Sequence, residues 1–143
     1  MLRKLVLVYN PQSSHYRMVD EEVLAPARKV RGRMVAKYAV KPTGFWDNVA
    51  NLQKLLDDGD LVVTAGGDGT AAITLNAVMN SEKDVAWAVL GYGNFNDTAR
   101  MLNEKSFASI VEDFEAESIR VLYPLEIVVN GKLWRYAASY FTM

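Results

Sequence analysis

The chain has 143 residues, of which 50% are hydrophobic and 23% are charged, and its formal net charge is -1. This length and composition are typical of one ordinary globular domain with a core, and they exclude a disordered chain. The near-neutral charge argues against nucleic acid as a partner, and the absence of cysteine, with only one histidine, excludes thiolate and histidine-cluster metal sites. Any metal is therefore expected to bind to oxygen.

The N-terminal apolar run, residues 5–8, is too short to span a bilayer, and no secretory cleavage signal follows it. A soluble, cytoplasmic protein is therefore the expectation, and peripheral contact with a membrane stays open.

The first part of the chain alternates between strand and helix patterns. Residues 5–9 predict a buried strand that ends at Asn10 and Pro11. Near-helical spacing predicts a helix over 17–31 with a bend at Pro26, and residues 33–40 predict a second strand.

The alternation continues through the centre of the chain. Patterns typical of helices cover 45–56 and 71–79, and a further helix is predicted to begin over 97–102. Short apolar runs predict buried strands over 61–64 and 85–90. This order predicts an α/β fold with an open, mainly parallel sheet and helices on both faces.

The pattern changes after residue 117. Strand patterns over 119–129 and 133–141 flank Asn130 and Gly131, a pair typical of hairpin turns. We therefore predict a nucleotide-binding α/β domain over 1–117 and the incomplete beginning of an all-β domain over 118–143. Uncovered strand faces and edges in this second part predict self-association into a homo-oligomer.

A glycine-rich turn follows the predicted strand over 61–64, and it consists of Gly66, Gly67, Asp68, Gly69 and Thr70. A turn between a buried strand and a helix directs backbone N–H groups at an anion, and glycines allow close approach. Asp68 by itself would repel phosphate, so we expect a divalent cation to bridge it to the ligand, while Thr70 donates its hydroxyl to phosphate. The alternative is an ordinary turn in which Asp68 or Thr70 caps the helix.

A second glycine-containing segment follows the predicted strand over 85–90, and its polar residues and glycines are Gly91, Gly93, Asn94, Asn96 and Asp97. Strand ends of this kind line a common crevice in doubly wound sheets, so we expect Asp97 to lie near Asp68. Two carboxylates and an asparagine can organise Mg²⁺ with its waters. The alternative is that Asn96 or Asp97 caps the following helix.

The first strand ends in a small polar loop at the same edge of the predicted sheet, formed by Asn10, Pro11, Gln12, Ser13 and Ser14. Its hydroxyls could contact phosphate, and Asn10 could contact ribose or base. An ordinary turn is the alternative. His15 and Arg17 follow the loop and could either neutralise phosphate charge or be solvated.

These three segments together resemble the diacylglycerol kinase catalytic family, which includes bacterial lipid kinases and sphingosine kinases. The family has an Asn-Pro-x-Ser loop, a Gly-Gly-Asp-Gly-Thr turn and a Gly-x-Gly-Asn-Asp-x-Ala-Arg segment, and the resemblance covers nearly the whole chain. This chain departs from the family pattern at Ser14, where Gly is usual, at Ala72 and Ile73, where Asn and Glu are common, and by two extra residues in the third segment.

The resemblance implies an ATP-dependent lipid kinase that transfers the γ-phosphoryl group of ATP to a lipid hydroxyl, such as that of diacylglycerol, presented at a membrane surface. It implies ATP and Mg²⁺ as cofactors, and a β-sandwich second domain that supplies the catalytic base. Asp68 and Asp97 are the predicted metal and catalytic residues. The predicted cofactor-binding residues are Asn10, Pro11, Gln12, Ser13, Ser14, Thr43, Gly66, Gly67, Asp68, Gly69, Thr70, Gly91, Gly93, Asn94 and Asn96.

Two other functions stay open at this point. One is a small-molecule kinase similar to NAD kinases or phosphofructokinases, which share a similar glycine-aspartate turn. The other is a non-catalytic nucleotide-binding module.

Overall fold

The computed structural model describes residues 4–30, 34–94, 96–102, 106–117 and 124–137. In these residues a parallel sheet has the strand order β2-β1-β3-β4. Its strands are β1 (Leu5–Tyr9), β2 (Val35–Ala39), β3 (Leu61–Gly66) and β4 (Ala86–Gly91). The chain leaves β1 toward one edge of the sheet and leaves β3 toward the other. The loops after β1 and β3 therefore separate and leave a crevice at the carboxyl ends of these two adjacent strands.

Helices cover both faces of this sheet, as the sequence predicted. They are α1 (Tyr16–Val19) and α2 (Ala25–Ala27), joined by a π-helical turn (Asp20–Leu24), then α3 (Phe45–Gln53), α4 (Asp68–Ser81), α5 (Asp97–Met101) and α6 (Phe107–Glu115). The residues of β1 alternate between the two faces. Leu5 and Leu7 pack in the cluster that includes residues of the first helical segment and α6, whereas Val6 and Val8 pack with residues of α3 and α4.

The helix boundaries differ from the sequence prediction in instructive ways. The predicted bend near Pro26 takes the form of the π-helical turn just before it. Proline lacks an N–H group and its ring crowds the carbonyl of residue i−4, and a wider turn accommodates both effects. The predicted helix over 71–79 begins earlier, at Asp68, so the last three residues of the glycine-rich turn form the first turn of α4. The predicted ends at 31 and 33 lie outside the described residues.

Helix α6 was not predicted from the sequence. Its N-terminus is capped by Ser106, whose hydroxyl oxygen accepts a hydrogen bond from the Ser109 N–H group at 3.2 Å. Phe107, Ile110 and Phe114 are buried on one side of the helix. This spacing of three and four residues is the ordinary signature of an amphipathic helix.

A small antiparallel sheet lies near the C-terminus, formed by β5 (Leu125–Val129) and β6 (Lys132–Ala137). Asn130 and Gly131 form the predicted hairpin turn with φ values of 52° and 75°. The hairpin packs on α4, and it leaves four apolar side chains exposed: Leu125, Val128, Val129 and Leu133. The parts of the predicted strands at 119–123 and 138–141 lie outside the described residues. The domain boundary and self-association stay predictions.

Among the helices of the described ranges, none is both long enough and apolar enough to cross a membrane.

Candidate functional site

Loops from all four strands of the parallel sheet form one pocket at their carboxyl ends, with a volume of about 670 Å³. This volume lies within the range of small-molecule and cofactor sites. The lining residues are Asn10, Ser13, Ser14 and His15 after β1; Val40, Lys41, Pro42, Gly44, Phe45 and Asn48 after β2; Gly67, Gly69, Thr70 and Ile73 after β3; and Gly93 and Asn94 after β4. The three polar segments identified in the sequence therefore converge on one place.

The two glycine turns touch each other through their backbones. A Cβ atom on Gly67 would lie 3.1 Å from the Cα of Gly93, and a Cβ atom on Gly93 would overlap the Cα of Gly67. Both residues line the pocket, but their lack of a side chain is already required by this contact. A Cβ atom on Gly69 would have no neighbour within 4 Å. Gly69 is therefore the glycine of the first turn that lines the pocket and has open space where a side chain would begin.

Asn96 holds the second turn in shape. Its side-chain oxygen accepts a hydrogen bond from the Gly93 N–H group at 2.7 Å, and its amide nitrogen donates to the Gly93 carbonyl at 2.9 Å. A Cβ atom on Gly91 would lie only 2.7 Å from the Asn96 side chain, which explains the glycine there. Asn96 occupies the residue before α5 with a φ of 54°, but its side chain does not cap that helix. The predicted binding residues Gly91 and Asn96 therefore shape the turn from outside the pocket lining.

Asp68 lies beside Asp97, and its carboxylate caps α5. One carboxylate oxygen accepts a hydrogen bond from the Asp97 N–H group at 3.1 Å, and the other accepts from the Thr98 N–H group at 2.9 Å. The negative charge of Asp68 also opposes the positive end of the α5 dipole. Asp68 therefore does cap a helix, as the sequence alternative suggested, but the helix is α5 and not α4, to which Asp68 itself belongs.

The Asp97 side chain forms an ion pair with the Arg100 guanidinium one turn along α5. The Asp97 side chain is 31% exposed and that of Arg100 is 60% exposed, so the pair lies at the surface. In the described residues, no group of three or more His, Asp or Glu side chains could hold a metal. A cation beside Asp68 and Asp97 would therefore need further oxygen ligands, such as carbonyl groups, water or phosphate.

The loop after β1 is held by its own polar side chains. The Asn10 side-chain oxygen accepts a hydrogen bond from the Gln12 N–H group at 3.0 Å, and the Ser13 hydroxyl oxygen accepts from the His15 N–H group at 3.2 Å. The Ser14 hydroxyl lies 3.3 Å from Nδ1 of His15. Pro11 and Gln12 are exposed and do not line the pocket.

The loop after β2 forms a pocket wall that the sequence analysis largely missed. Asn48 is 1% exposed and fixes this loop, because its amide nitrogen donates to the carbonyls of Lys41 and Gly44 at 2.8 and 2.7 Å. Its oxygen accepts from the Lys41 N–H group at 2.8 Å. Thr43, predicted to bind the cofactor, is absent from the lining, while its neighbours are present. The sequence signal for this wall is that the loop follows a predicted parallel strand, so it ends at the same edge of the sheet as the other loops.

The charge of the lining favours an anionic ligand. Within the described residues, His15 and Lys41 are the ionisable side chains that line the pocket, and no acidic side chain does so. Gly66, Asp68 and Asp97 lie behind this lining and shape its two turns.

Comparison with known proteins identifies the family. The sequence model of the diacylglycerol kinase catalytic domain matches residues 4–124. This match covers most of the chain, which therefore belongs to this family of lipid kinases. A diacylglycerol kinase of Staphylococcus carnosus (strain TM300) is 28% identical over 105 residues, which make up 72% of this chain and 34% of that protein.

Solved structures share the fold. The crystal structure of a diacylglycerol kinase from Bacillus anthracis str. Sterne has a TM-score of 0.62 at 21% identity, covering 92% of this chain and 48% of that one. A second structure from the same organism has a TM-score of 0.63 at 21% identity, and the match covers 47% of its chain. The chain thus spans about a third of the length of the curated relative and about half of the solved chains.

Proposed function

We propose that this chain is the nucleotide-binding part of an ATP-dependent lipid kinase, which transfers the γ-phosphoryl group of ATP to a lipid hydroxyl such as that of diacylglycerol. Membership of the diacylglycerol kinase catalytic domain family supports the reaction class. The observation that carries the nucleotide assignment is the open backbone at Gly69, in the first turn of the 14-residue helix α4 and at the wall of the pocket. The N-terminus of a helix attracts phosphate through its unpaired N–H groups and its dipole.

The pocket lining offers both kinds of contact that ATP requires. The triphosphate would lie near Gly69 and Thr70, with positive charge available from Lys41 and a hydrogen-bond donor from the His15 ring. The base would lie against the apolar wall that Val40, Pro42, Phe45 and Ile73 contribute to the lining. Nucleotide sites commonly combine an apolar wall with a few polar groups that fix orientation.

Mg²⁺ fits the carboxylates beside the pocket. Each oxygen of Asp68 accepts one backbone hydrogen bond, and a carboxylate oxygen has a second lone pair for a cation or its water. Mg²⁺ binds through one or two carboxylates and takes its other ligands from phosphate and water, so Asp68 and Asp97 suffice as protein ligands. When bound, the cation would neutralise charge on the phosphates.

The transfer itself needs a general base. The lipid hydroxyl oxygen forms a bond to the γ-phosphorus, the bond from that phosphorus to the bridging oxygen breaks, and ADP leaves. The hydroxyl proton must pass to a base within hydrogen-bond reach. No carboxylate lines the described pocket, and we expect His15 in the lining to contact phosphate, so we assign the base to the second domain that the family resemblance implies, acting on a lipid at a membrane surface. We expect this chain alone to bind nucleotide and to transfer phosphate poorly.

Two measurements test the proposal. Calorimetric titration should give saturable binding of Mg·ATP to the 143-residue chain, and the absence of binding would contradict the proposal. Transfer of labelled γ-phosphate should then be measured with diacylglycerol in mixed micelles, sphingosine, NAD and fructose 6-phosphate, using this chain and any longer natural version. Labelling of NAD or of the sugar phosphate would indicate a small-molecule kinase. Nucleotide binding without any transfer, even by the longer version, would indicate a non-catalytic module.

A further inference from the structure

The β5–β6 hairpin contacts the two helices that border the pocket. On α4, the Asn76 side chain pairs with the backbone of Tyr136: its oxygen accepts from the Tyr136 N–H group at 2.8 Å, and its nitrogen donates to the Tyr136 carbonyl at 3.1 Å. On α3, the Arg135 guanidinium lies over the ring of Phe45, with its central carbon 5.2 Å from the ring centroid. The hairpin is therefore attached both beside the pocket and further along α4.

Phe45 connects this attachment to the pocket. It is the first residue of α3 and lines the apolar wall. Its ring meets Trp46 edge to face at a centroid distance of 4.8 Å, and Arg135 covers it from the hairpin. The Arg135 guanidinium is itself placed by Trp134, whose ring centroid lies 4.2 Å away. An aromatic ring in contact with both a cation and a second ring has fewer orientations available than a half-buried ring without these contacts.

We propose that Arg135 is a positioning residue for the nucleotide pocket, which acts through Phe45 to hold the apolar wall in the orientation that receives the base. This inference rests on the proposed nucleotide binding. Arg135 does not line the pocket itself, and Phe45 is a lining residue that it contacts. The hairpin, which lies at the beginning of the predicted second domain, would thereby influence the affinity of the first domain for its nucleotide.

The chemistry of the ligand separates this role from a general effect of charge. Removing a cation near the pocket would weaken the binding of both ATP and inorganic triphosphate, because both carry a highly charged triphosphate. A less fixed Phe45 ring should weaken the binding of ATP, which has a base, and should not change the binding of inorganic triphosphate. Cation–π contacts at half-exposed sites correspond to about a two- to fivefold change in affinity.

The experiment compares Arg135→Gln with Lys132→Gln in the 143-residue chain. Both changes remove one positive charge from β6, but Lys132 is exposed beside the hairpin turn and is not in the pocket lining. Affinities for ATP and for inorganic triphosphate are measured by calorimetry, and circular dichroism checks the fold. We expect Arg135→Gln to lower the affinity for ATP by about two- to fivefold and to leave the affinity for triphosphate unchanged. Lys132→Gln should change neither affinity.

A double-mutant cycle with Phe45→Leu provides the decisive control. If Arg135 acts through the ring, Arg135→Gln should no longer change ATP affinity once Phe45 is leucine. Unchanged ATP affinity in the single variant, an equal loss for ATP and triphosphate, or a full Arg135 effect without the Phe45 ring would each overturn the inference. Failure of the wild-type chain to bind ATP would instead contradict the proposed function on which the inference rests.

Discussion

Gly67 and Gly93 pack backbone against backbone, so that a Cβ atom added to Gly67 would lie 3.1 Å from the Cα of Gly93. Contacts this short between a Cβ atom and backbone require one partner to move. The two glycine turns therefore behave as one unit, in which a change at either residue shifts the other. A test of phosphate binding should use a glycine that this contact does not involve.

Gly69→Val meets that requirement, because its Cβ atom would enter open space at the pocket wall. We expect Mg·ATP to bind at least about tenfold more weakly, a change of about 1.4 kcal/mol, with thermal stability close to that of the wild type. Gly67→Val is the matched comparison, and it should lower stability by about 1–3 kcal/mol through the backbone contact. Calorimetry and thermal unfolding measure the two effects. Equal ATP affinity in Gly69→Val and wild type would exclude phosphate from this wall.

Variants of Asp97 and Arg100 can distinguish a role of Asp97 in metal binding from its role in the ion pair. Asp97→Asn and Arg100→Gln both break the surface pair, and each should cost less than about 1 kcal/mol of stability. We expect only Asp97→Asn to reduce the dependence of ATP affinity on Mg²⁺ concentration, because only that change removes a carboxylate. The ATP affinity of both variants and of the wild type is measured by titration at several Mg²⁺ concentrations. If the two variants give the same Mg²⁺ dependence, Asp97 serves the ion pair alone.

Asp68→Asn should reveal two separate effects. An amide has one oxygen where the carboxylate has two, so the N–H group of Asp97 or Thr98 loses its acceptor. We expect a loss of about 0.5–2 kcal/mol in unfolding free energy without ligand, typical of a lost helix cap. We also expect weaker Mg²⁺-dependent binding of ATP. Unchanged stability would contradict the capping role, and unchanged Mg²⁺ dependence would contradict the cation role.

The ion pairs of Lys4 lie at the opposite end of the sheet, before β1, and predict a pH dependence of stability. The Lys4 ammonium contacts Asp57 at 2.6 Å and Asp60 at 3.2 Å, and the Asp60 side chain is only 2% exposed. Burial opposes the charge of Lys4, but the hydrogen bonds and charges of both carboxylates outweigh it and raise the pKa of Lys4 above its ordinary 10.5. The same hydrogen bond lowers the pKa of Asp57 below 3.8.

These directions define the window in which the pairs stabilise the fold. The stabilisation of the folded state that comes from the raised pKa of Lys4 is fully present below pH 10.5. It is lost as the pH rises through the higher pKa of Lys4 in the folded state. The stabilisation that comes from the lowered pKa of Asp57 is fully present above pH 3.8. It is lost as the pH falls through the lower pKa of Asp57 in the folded state. Lys4→Met should therefore cost about 1–3 kcal/mol at neutral pH, mainly by leaving buried Asp60 without its cation.

Urea unfolding of Lys4→Met and wild type across the pH range checks this prediction. The difference in stability should narrow below pH 3.8 and above pH 10.5. A constant difference at all pH values would show that Lys4 contributes only packing. Nucleotide affinity should not change, because the pocket lies at the other end of the strands.

The sequence predicted the sheet well because its strands are short apolar runs with turn residues on both sides. Leu5, Leu61 and Ala86 each begin strands close to their predicted positions. The general position of the site followed from topology, since loops after parallel strands meet at one edge. The spacing of Phe107, Ile110 and Phe114 is the sequence signal for helix α6.

The roles of individual polar residues could not be predicted in the same way. Whether Asp68 caps its own helix or α5 depends on the distance between two loops, which the Gly67–Gly93 contact determines. The buried hydrogen bonds of Asn48 likewise depend on the path of the chain around it. Residue type alone does not specify which partner a polar side chain meets across a loop.

The pairing of Asn76 with Tyr136 also bears on how the hairpin could associate with other chains. One edge of β6 is bonded to β5, and the outer edge would ordinarily present free N–H and carbonyl groups to any extended segment. At Tyr136 both outer groups are already bonded to one side-chain amide, which imitates the peptide group of a neighbouring strand. A foreign strand would have to displace Asn76 before it could extend the ladder past this residue. Contact through the exposed side chains of Leu125, Val128 and Leu133 requires no such displacement.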